Sequence, residues 1–307
     1  MSGKRTIGIT TYDYSPTDML NLAVHAEQLG FEGVWFGEHY VVPEKYEGHH
    51  PSRKETPKDK NDVRDKAIIG EGVRIYDPFF LLGAIAGATT TLKIGTAICI
   101  VPMNHPLLLA RQIITAQEVS NGRFLFGTGA GWLKEEFDAV GVPFHERGAR
   151  MDEMFAIMRR AQEGGYFEHH GKYFDFESLQ MTPYPVKVPL VCGGNTGPAL
   201  RRVAEIADAW INSAMVTLEE VLPMRDTIEA ERAARGTSGR PFEYFVRPTS
   251  ADPETVEPFF AAGFENVILW GPAIWPNDET IPLETKVANL TRVARDLGLA
   301  PLAAKAA

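Results

Sequence analysis

Glu38 and His39 stand side by side at the end of an apolar run, in the stretch GFEGVWFGEHY (Gly30–Tyr40). An imidazole titrates near neutral pH, and a carboxylate beside it can orient it or share its proton, so the pair could form a proton-transfer site. The same two residues could equally close a structural turn. Two glycine-rich stretches offer other chemistry. In GGNTG (Gly193–Gly197), the glycines let backbone approach a ligand closely. Thr196 can cap a following helix whose free N–H groups and dipole favour an anion such as phosphate. Arg201 and Arg202, one turn on, would add positive charge. A plain strand-to-helix turn is the competing reading. GTGAGW (Gly127–Trp132) is not a Walker loop, because no Gly-Lys-Ser/Thr follows. It reads either as a tight turn or as a shelf on which a flat ring lies, with Trp132 as an aromatic wall. His49-His50 and His169-His170 are adjacent pairs without the spacing of a helical metal site. No Gly-x-Ser-x-Gly elbow occurs, and no metal site is expected.

The elements that must carry these residues alternate regularly. Short apolar runs occur at 5–11, 33–37, 92–100, 123–129, 189–194, 207–213, 241–248 and 265–272. Each is followed by a stretch with helical spacing. In the first of these Met19, Leu22, Ala23, Ala26 and Leu29 share one face behind Ser15-Pro16, a helix start signal, and Gly30 ends it. Further helices are predicted near 77–87, 105–120, 147–163, 218–235, 254–262 and 283–297, and one after GGNTG carrying Leu200, Val203, Ala204 and Ala207. Parallel strands need such crossovers, and eight pairs suit a closed (β/α)₈ barrel, the fold class expected here. An open doubly wound sheet would place a phosphate loop after the first strand, where TTYDYSP has none. One domain over 1–307 is expected, with two insertions. Residues 40–76 are polar and charged, either a lid or a solvated loop, and 166–188 read as a hairpin turning near His170-Gly171. In such barrels the strands' C-terminal ends form the active site, which is where Glu38-His39, Thr96-Ala97-Ile98-Cys99, GTGAGW and GGNTG all fall.

Bulk properties bound the partners. Of 307 residues 44% are hydrophobic and 23% charged, ordinary globular composition. A formal net charge of −9 argues against broad binding to nucleic acid or anionic membranes. The two cysteines, Cys99 and Cys192, form no disulfide framework, the beginning MSGKRTIGIT has no signal-like apolar run, and no stretch is long enough to span a membrane. A soluble cytoplasmic protein acting on a small molecule is expected.

Taken in order, four stretches resemble the bacterial luciferase-like flavin and deazaflavin oxidoreductases: GFEGVWFGEHY, TLKIGTAICIVPMNHPLLLARQ, SNGRFLFGTGAGWLKEEFDAVGVPFHERGARMDEM and VPLVCGGNTGPALRRVAEIADAWI. The likeness runs from about Ile7 to Leu297 and is weakest across 40–76. It implies a barrel holding coenzyme F420 or FMN at its C-terminal mouth, and the third stretch is most similar to the deazaflavin branch. It implies that Glu38 and His39 lie near the reactive edge of the ring. It also implies that Thr96, Ala97 and Ile98 back the ring through a non-prolyl cis bond at Ala97–Ile98, and that Gly193, Gly194, Asn195 and Thr196 hold the phosphate. Homodimers are usual in this family. The expected activity is F420-dependent hydride transfer, with His39 exchanging the proton, Glu38 orienting His39 and Trp132 walling the substrate side. The alternatives are an FMN-dependent monooxygenase and a non-catalytic flavin-binding protein. In one respect the sequence departs from the family: Trp132 occupies a position that is acidic in its sugar-phosphate dehydrogenases. His39 would then act alone or with Glu38, Glu135 or substrate groups. Trp270 and Trp275, in the last strand and its loop, either line the substrate pocket or pack the core.

Overall fold

Trp35 explains much of the architecture. The computed structural model describes residues 5–11, 15–46, 72–275 and 280–302, and at its centre Trp35 points into the sheet while Val34 and Phe36 point out of it. Three glycines on other strands make room for that indole. A methyl group on Gly95 would lie 2.5 Å from Trp35 Cε3, and one on Gly8 would lie 3.2 Å from its Nε1. On Gly127 it would lie 3.6 Å from Trp35 and only 1.7 Å from the Thr96 carbonyl oxygen. Phe245 meets the indole edge to face at 5.1 Å.

Eight parallel strands surround this plug. They are Thr6–Thr11, Gly33–Phe36, Lys93–Thr96, Phe124–Gly129, Leu190–Gly193, Ala209–Ile211, Glu243–Val246 and Asn266–Trp270. Each pairs with the next, and the eighth pairs with the first through Ile7–Val267 and Ile9–Leu269, so the sheet closes. The (β/α)₈ expectation is met. Trp35, Val191, Ala209, Ile211, Phe245 and Ile268 fill the interior, while a larger apolar layer joins the outward residues to the helices.

Helix starts follow local rules. Proline occupies the first turn of Pro16–Gln28, Pro78–Ala88 and Pro106–Val119, where its missing N–H costs nothing. Asp77 Oδ1 accepts from the Phe79 and Phe80 amides. Predicted helix bounds agree to within one or two residues. Two short helices lie outside the predicted set, Lys134–Ala139 and Gly271–Ile274. The predicted hairpin comprises Tyr166–His170 and Asp175–Gln180. Glu153 pins its turn by accepting from the amides of Tyr173 and Phe174 and bonding His169 Nε2 at 3.1 Å. The lid expected over 40–76 falls largely on 47–71, outside the described residues, as does His49-His50. Among the described residues no helix is long and apolar enough to cross a membrane.

Candidate active site

The third strand breaks after Thr96, and chain Ala97-Ile98 bulges before Cys99–Ile100 resume pairing with the fourth strand. The Ala97–Ile98 bond is cis, as the family resemblance implied. Glu38 clamps this bulge from both sides. Its amide donates to the Ile98 carbonyl at 3.0 Å, and its Oε2 accepts from the Ile100 amide at 2.6 Å. The Cys99 thiol also bonds this carboxyl. Burial pushes the Glu38 carboxyl up to about 7, even against the opposing Ile100 bond. Cys99 and Cys192 are both buried free thiols, and burial pushes the Cys192 thiol up to about 12.

Glu38 therefore does not orient His39, contrary to the expectation. Glu136 does. His39 Nδ1 lies 2.9 Å from Glu136 Oε2, while Glu136 Oε1 accepts from the amides of Tyr40 at 2.7 Å and Val41 at 3.4 Å. Glu136 is completely buried on the short helix Lys134–Ala139. With Nδ1 engaged by this carboxylate, Nε2 is the ring nitrogen left for the cavity that His39 lines. Trp132 meets His39 edge to face at 6.3 Å.

That cavity opens at the C-terminal mouth and has a volume of about 390 Å³. Strand alternation builds it. Two residues beyond the buried interior layer, seven strands present one inward position each, Thr10, Gly37, Gly129, Gly193, Ser213, Arg247 and Trp270, while on the third strand the bulge brings Ile98 into the ring; all eight are lining residues. The floor of the second, fourth and fifth strands is glycine. A methyl group on Gly129 would lie 2.7 Å from the Ile98 side chain, and one on Gly193 would lie 2.9 Å from the Thr128 carbonyl oxygen. The glycines of GTGAGW thus first accommodate the bulge, rather than serving only as a ring shelf.

The fifth-strand loop is stapled from behind. Trp210 Nε1 donates to the Gly194 carbonyl at 2.8 Å, and Asn195 Oδ1 accepts from the Ser213 amide at 2.9 Å. Gly194 has φ +127 and could carry no side chain without meeting Ala199. Thr196 is the N-cap of helix Gly197–Ile206, but its hydroxyl makes no cap bond. Arg202 reaches the cavity while paired with Asp152, and Arg201 does not line it. Thr96 also stays out: it is fully buried, and its hydroxyl donates to the Gly127 carbonyl at 2.6 Å. The two tryptophans divide, Trp270 lining the cavity and Trp275 packing the core.

Sequence reasoning missed Glu136, Arg147 and Arg247. Arg147 lies over the Phe144 ring at 3.9 Å, at the start of helix Arg147–Glu163, whose first turn holds no acid. Cations there oppose the helix dipole, a signal that an anion is expected nearby. Arg147, Arg202 and Arg247 all line the cavity, in a chain of net charge −9. Glu168, His170 and Glu177 come together on the hairpin, all exposed and outside the cavity.

Residues 3–251 match the protein family described as luciferase-like monooxygenase. An uncharacterized protein of Mycobacterium tuberculosis is 27% identical over 92% of this chain and 94% of its own length. The FMNH(2)-dependent dimethylsulfone monooxygenase of Pseudomonas fluorescens is 29% identical over 49% of this chain and 42% of its own. Among solved structures, the coenzyme F420-dependent tetrahydromethanopterin reductase of Methanopyrus kandleri shares the fold with a TM-score of 0.70, at 19% identity over 96% of this chain and 99% of that one.

Proposed function

Because the chain belongs to the luciferase-like monooxygenase family, whose members are oxidoreductases, we propose that it is a coenzyme F420-dependent oxidoreductase of a small organic substrate. The observation that carries this reading is the His39–Glu136 pair at the cavity wall. Moving a hydride to or from a carbon bearing oxygen needs a proton partner at that oxygen, and a histidine held by a buried carboxylate is one.

The residues present fit a planar cofactor with an anionic tail. Glycine at three inward positions adds no side chain beside Ile98, and the room for one is absent at Gly129 and Gly193, which supports this reading. Gly193, Gly194, Asn195 and Thr196 would hold the phosphate beside Arg202, with Arg147 following the tail outward. Two arginines, Arg202 and Arg147, suit a tail with more than one negative charge, as in F420, better than the single phosphate of FMN. Bound there, the deazaflavin supplies a carbon that gives or takes a hydride. Nε2 of His39 takes the alcohol proton in oxidation and returns it in reduction. Trp132 shields the pair from water, and Glu38 keeps the bulge under the ring in place.

An FMN-dependent monooxygenase is the second reading, favoured by the likeness to the dimethylsulfone enzyme. Parallel titrations with oxidised F420 and FMN, read by cofactor fluorescence, separate the two. Saturable micromolar binding of F420 alone is expected; binding of FMN alone would replace this proposal with the second reading. The role of His39 is tested by His39→Asn, which should abolish turnover and spare cofactor affinity.

A further inference from the structure

The mouth of the barrel has two unlike halves. The second, fourth and fifth strands contribute glycine, and the third contributes Ile98, whereas the seventh, eighth and first contribute Arg247, Trp270 and Thr10. In a closed eight-strand ring the third and seventh strands stand opposite each other. Arg247 therefore faces Ile98 across the cavity. A ring resting on Ile98, as the proposed function requires, would turn its free face toward Arg247, Trp270 and Thr10.

That second half is a built site. Asn212 is fully buried, and its Oδ1 accepts from the Arg247 amide at 2.8 Å, while its Nδ2 donates to the Ala214 carbonyl. The asparagine thus fixes the backbone from which the guanidinium projects. The guanidinium carbon lies 5.8 Å from the centre of the Trp270 ring, within cation–π range. Thr10 pairs with Trp270 in register and adds a hydroxyl. Among the described lining residues of these three strands, Arg247 is the one charged group. A half-buried guanidinium can take a carboxylate through two parallel hydrogen bonds, and a lone positive charge on this half of the mouth suits a ligand with one negative group there.

We propose that Arg247, Trp270 and Thr10 form the substrate subsite, and that the substrate is a carboxylic acid carrying its reacting oxygen some distance from the carboxylate. The carboxylate engages Arg247, the body lies on Trp270, and the reacting oxygen reaches His39. This assignment rests on the proposed function for the position of the ring, but the carboxylate site itself does not need the cofactor.

The test uses three matched pairs of keto or aldehyde acids and their methyl esters: levulinate, 4-oxocyclohexanecarboxylate and 4-formylbenzoate. Binding is measured by calorimetry and tryptophan fluorescence, with and without the cofactor. For at least one pair the acid should bind about tenfold more tightly than its ester, the worth of a charge-assisted hydrogen bond. Arg247→Gln should bring acid and ester together without changing cofactor affinity. Arg247→Lys keeps the charge but not the fork, and should retain a smaller preference, which guards against reading misfolding as lost recognition. Absence of any preference in the unsubstituted protein, or its survival in Arg247→Gln, would overturn the assignment. If neither F420 nor FMN binds while the preference persists and depends on Arg247, the proposed function fails and the carboxylate site stands.

Discussion

His39 and Glu136, 97 residues apart in the chain, meet at 2.9 Å through Nδ1 and Oε2. The second oxygen of the same carboxylate accepts from the two amides that follow His39, so one buried group fixes both the histidine ring and the backbone that bears it. A short helix in the loop after the fourth strand thereby fixes the histidine at the end of the second.

Replacing Glu136 with Gln keeps the volume but puts an amide NH₂ in competition for the ring. To satisfy it, Nδ1 must become the acceptor, which moves the hydrogen to Nε2 and removes the base from the cavity. We expect kcat to fall about 10²-fold or more, within the range general acid–base catalysis supplies. The Kd for the cofactor should not move, and KM should change far less than kcat. Steady-state kinetics with a cofactor titration would check this split; an equal loss of cofactor affinity would mean that Glu136 only supports the fold.

Glu38 makes stability depend on pH. Its carboxyl rises from the ordinary glutamate value of 4.5 to about 7 because burial disfavours the charge. Between those values the folded protein binds more protons than the unfolded chain, so this group's contribution is full below about 4.5 and is lost as pH rises through about 7. The loss amounts to roughly 3 kcal/mol. Glu38→Gln can still accept from the Ile100 amide and carries no charge to bury. Urea unfolding between pH 5 and 8 should therefore show the variant gaining on the unsubstituted protein as pH rises. Parallel curves would contradict the burial argument.

The two arginines after the fifth strand should separate cleanly. Arg202 lines the cavity beside the loop assigned to the phosphate, while Arg201 lies outside it. Arg202→Gln is expected to weaken cofactor binding about tenfold, with a smaller loss at high salt where charge is already screened. Arg201→Gln should leave affinity unchanged. Stability should suffer little in either case, because the Asp152 partner of Arg202 is more than half exposed and can be solvated. Fluorescence titrations at two salt concentrations would read the difference.

How much of this was legible in the sequence depends on the range of the interaction. The barrel was, because alternation and helical spacing are local and repeat eight times. That His39, Trp132 and the Gly193–Thr196 loop meet at one cavity was, because strand ends can be read as a list once the barrel is assumed. Period two also held Arg247, which follows inward Phe245 by two residues, and that signal went unread. Glu136 was not legible: LKEEFD offers two adjacent glutamates, and only tertiary packing of Phe137 turns one of them under Tyr40. Thr96 shows the converse error, since its family position suggested the cofactor while its hydroxyl serves the neighbouring strand.

Asn212 provides the last prediction, because it joins stability to recognition in one side chain. It is fully buried and bridges the loop after the sixth strand to the amide of Arg247 on the seventh. Asn212→Ala strips a partner from a buried N–H and a buried C=O together, and each such loss costs about 1–3 kcal/mol. We expect a drop of about 2–4 kcal/mol in unfolding free energy, seen as a lower urea midpoint with an unchanged slope. The loosened backbone should also erode the acid-over-ester preference assigned to Arg247, even though Asn212 itself is buried beneath the subsite. A variant that loses stability while keeping the full preference would show that Arg247 is held by its contact with Trp270, not by the asparagine.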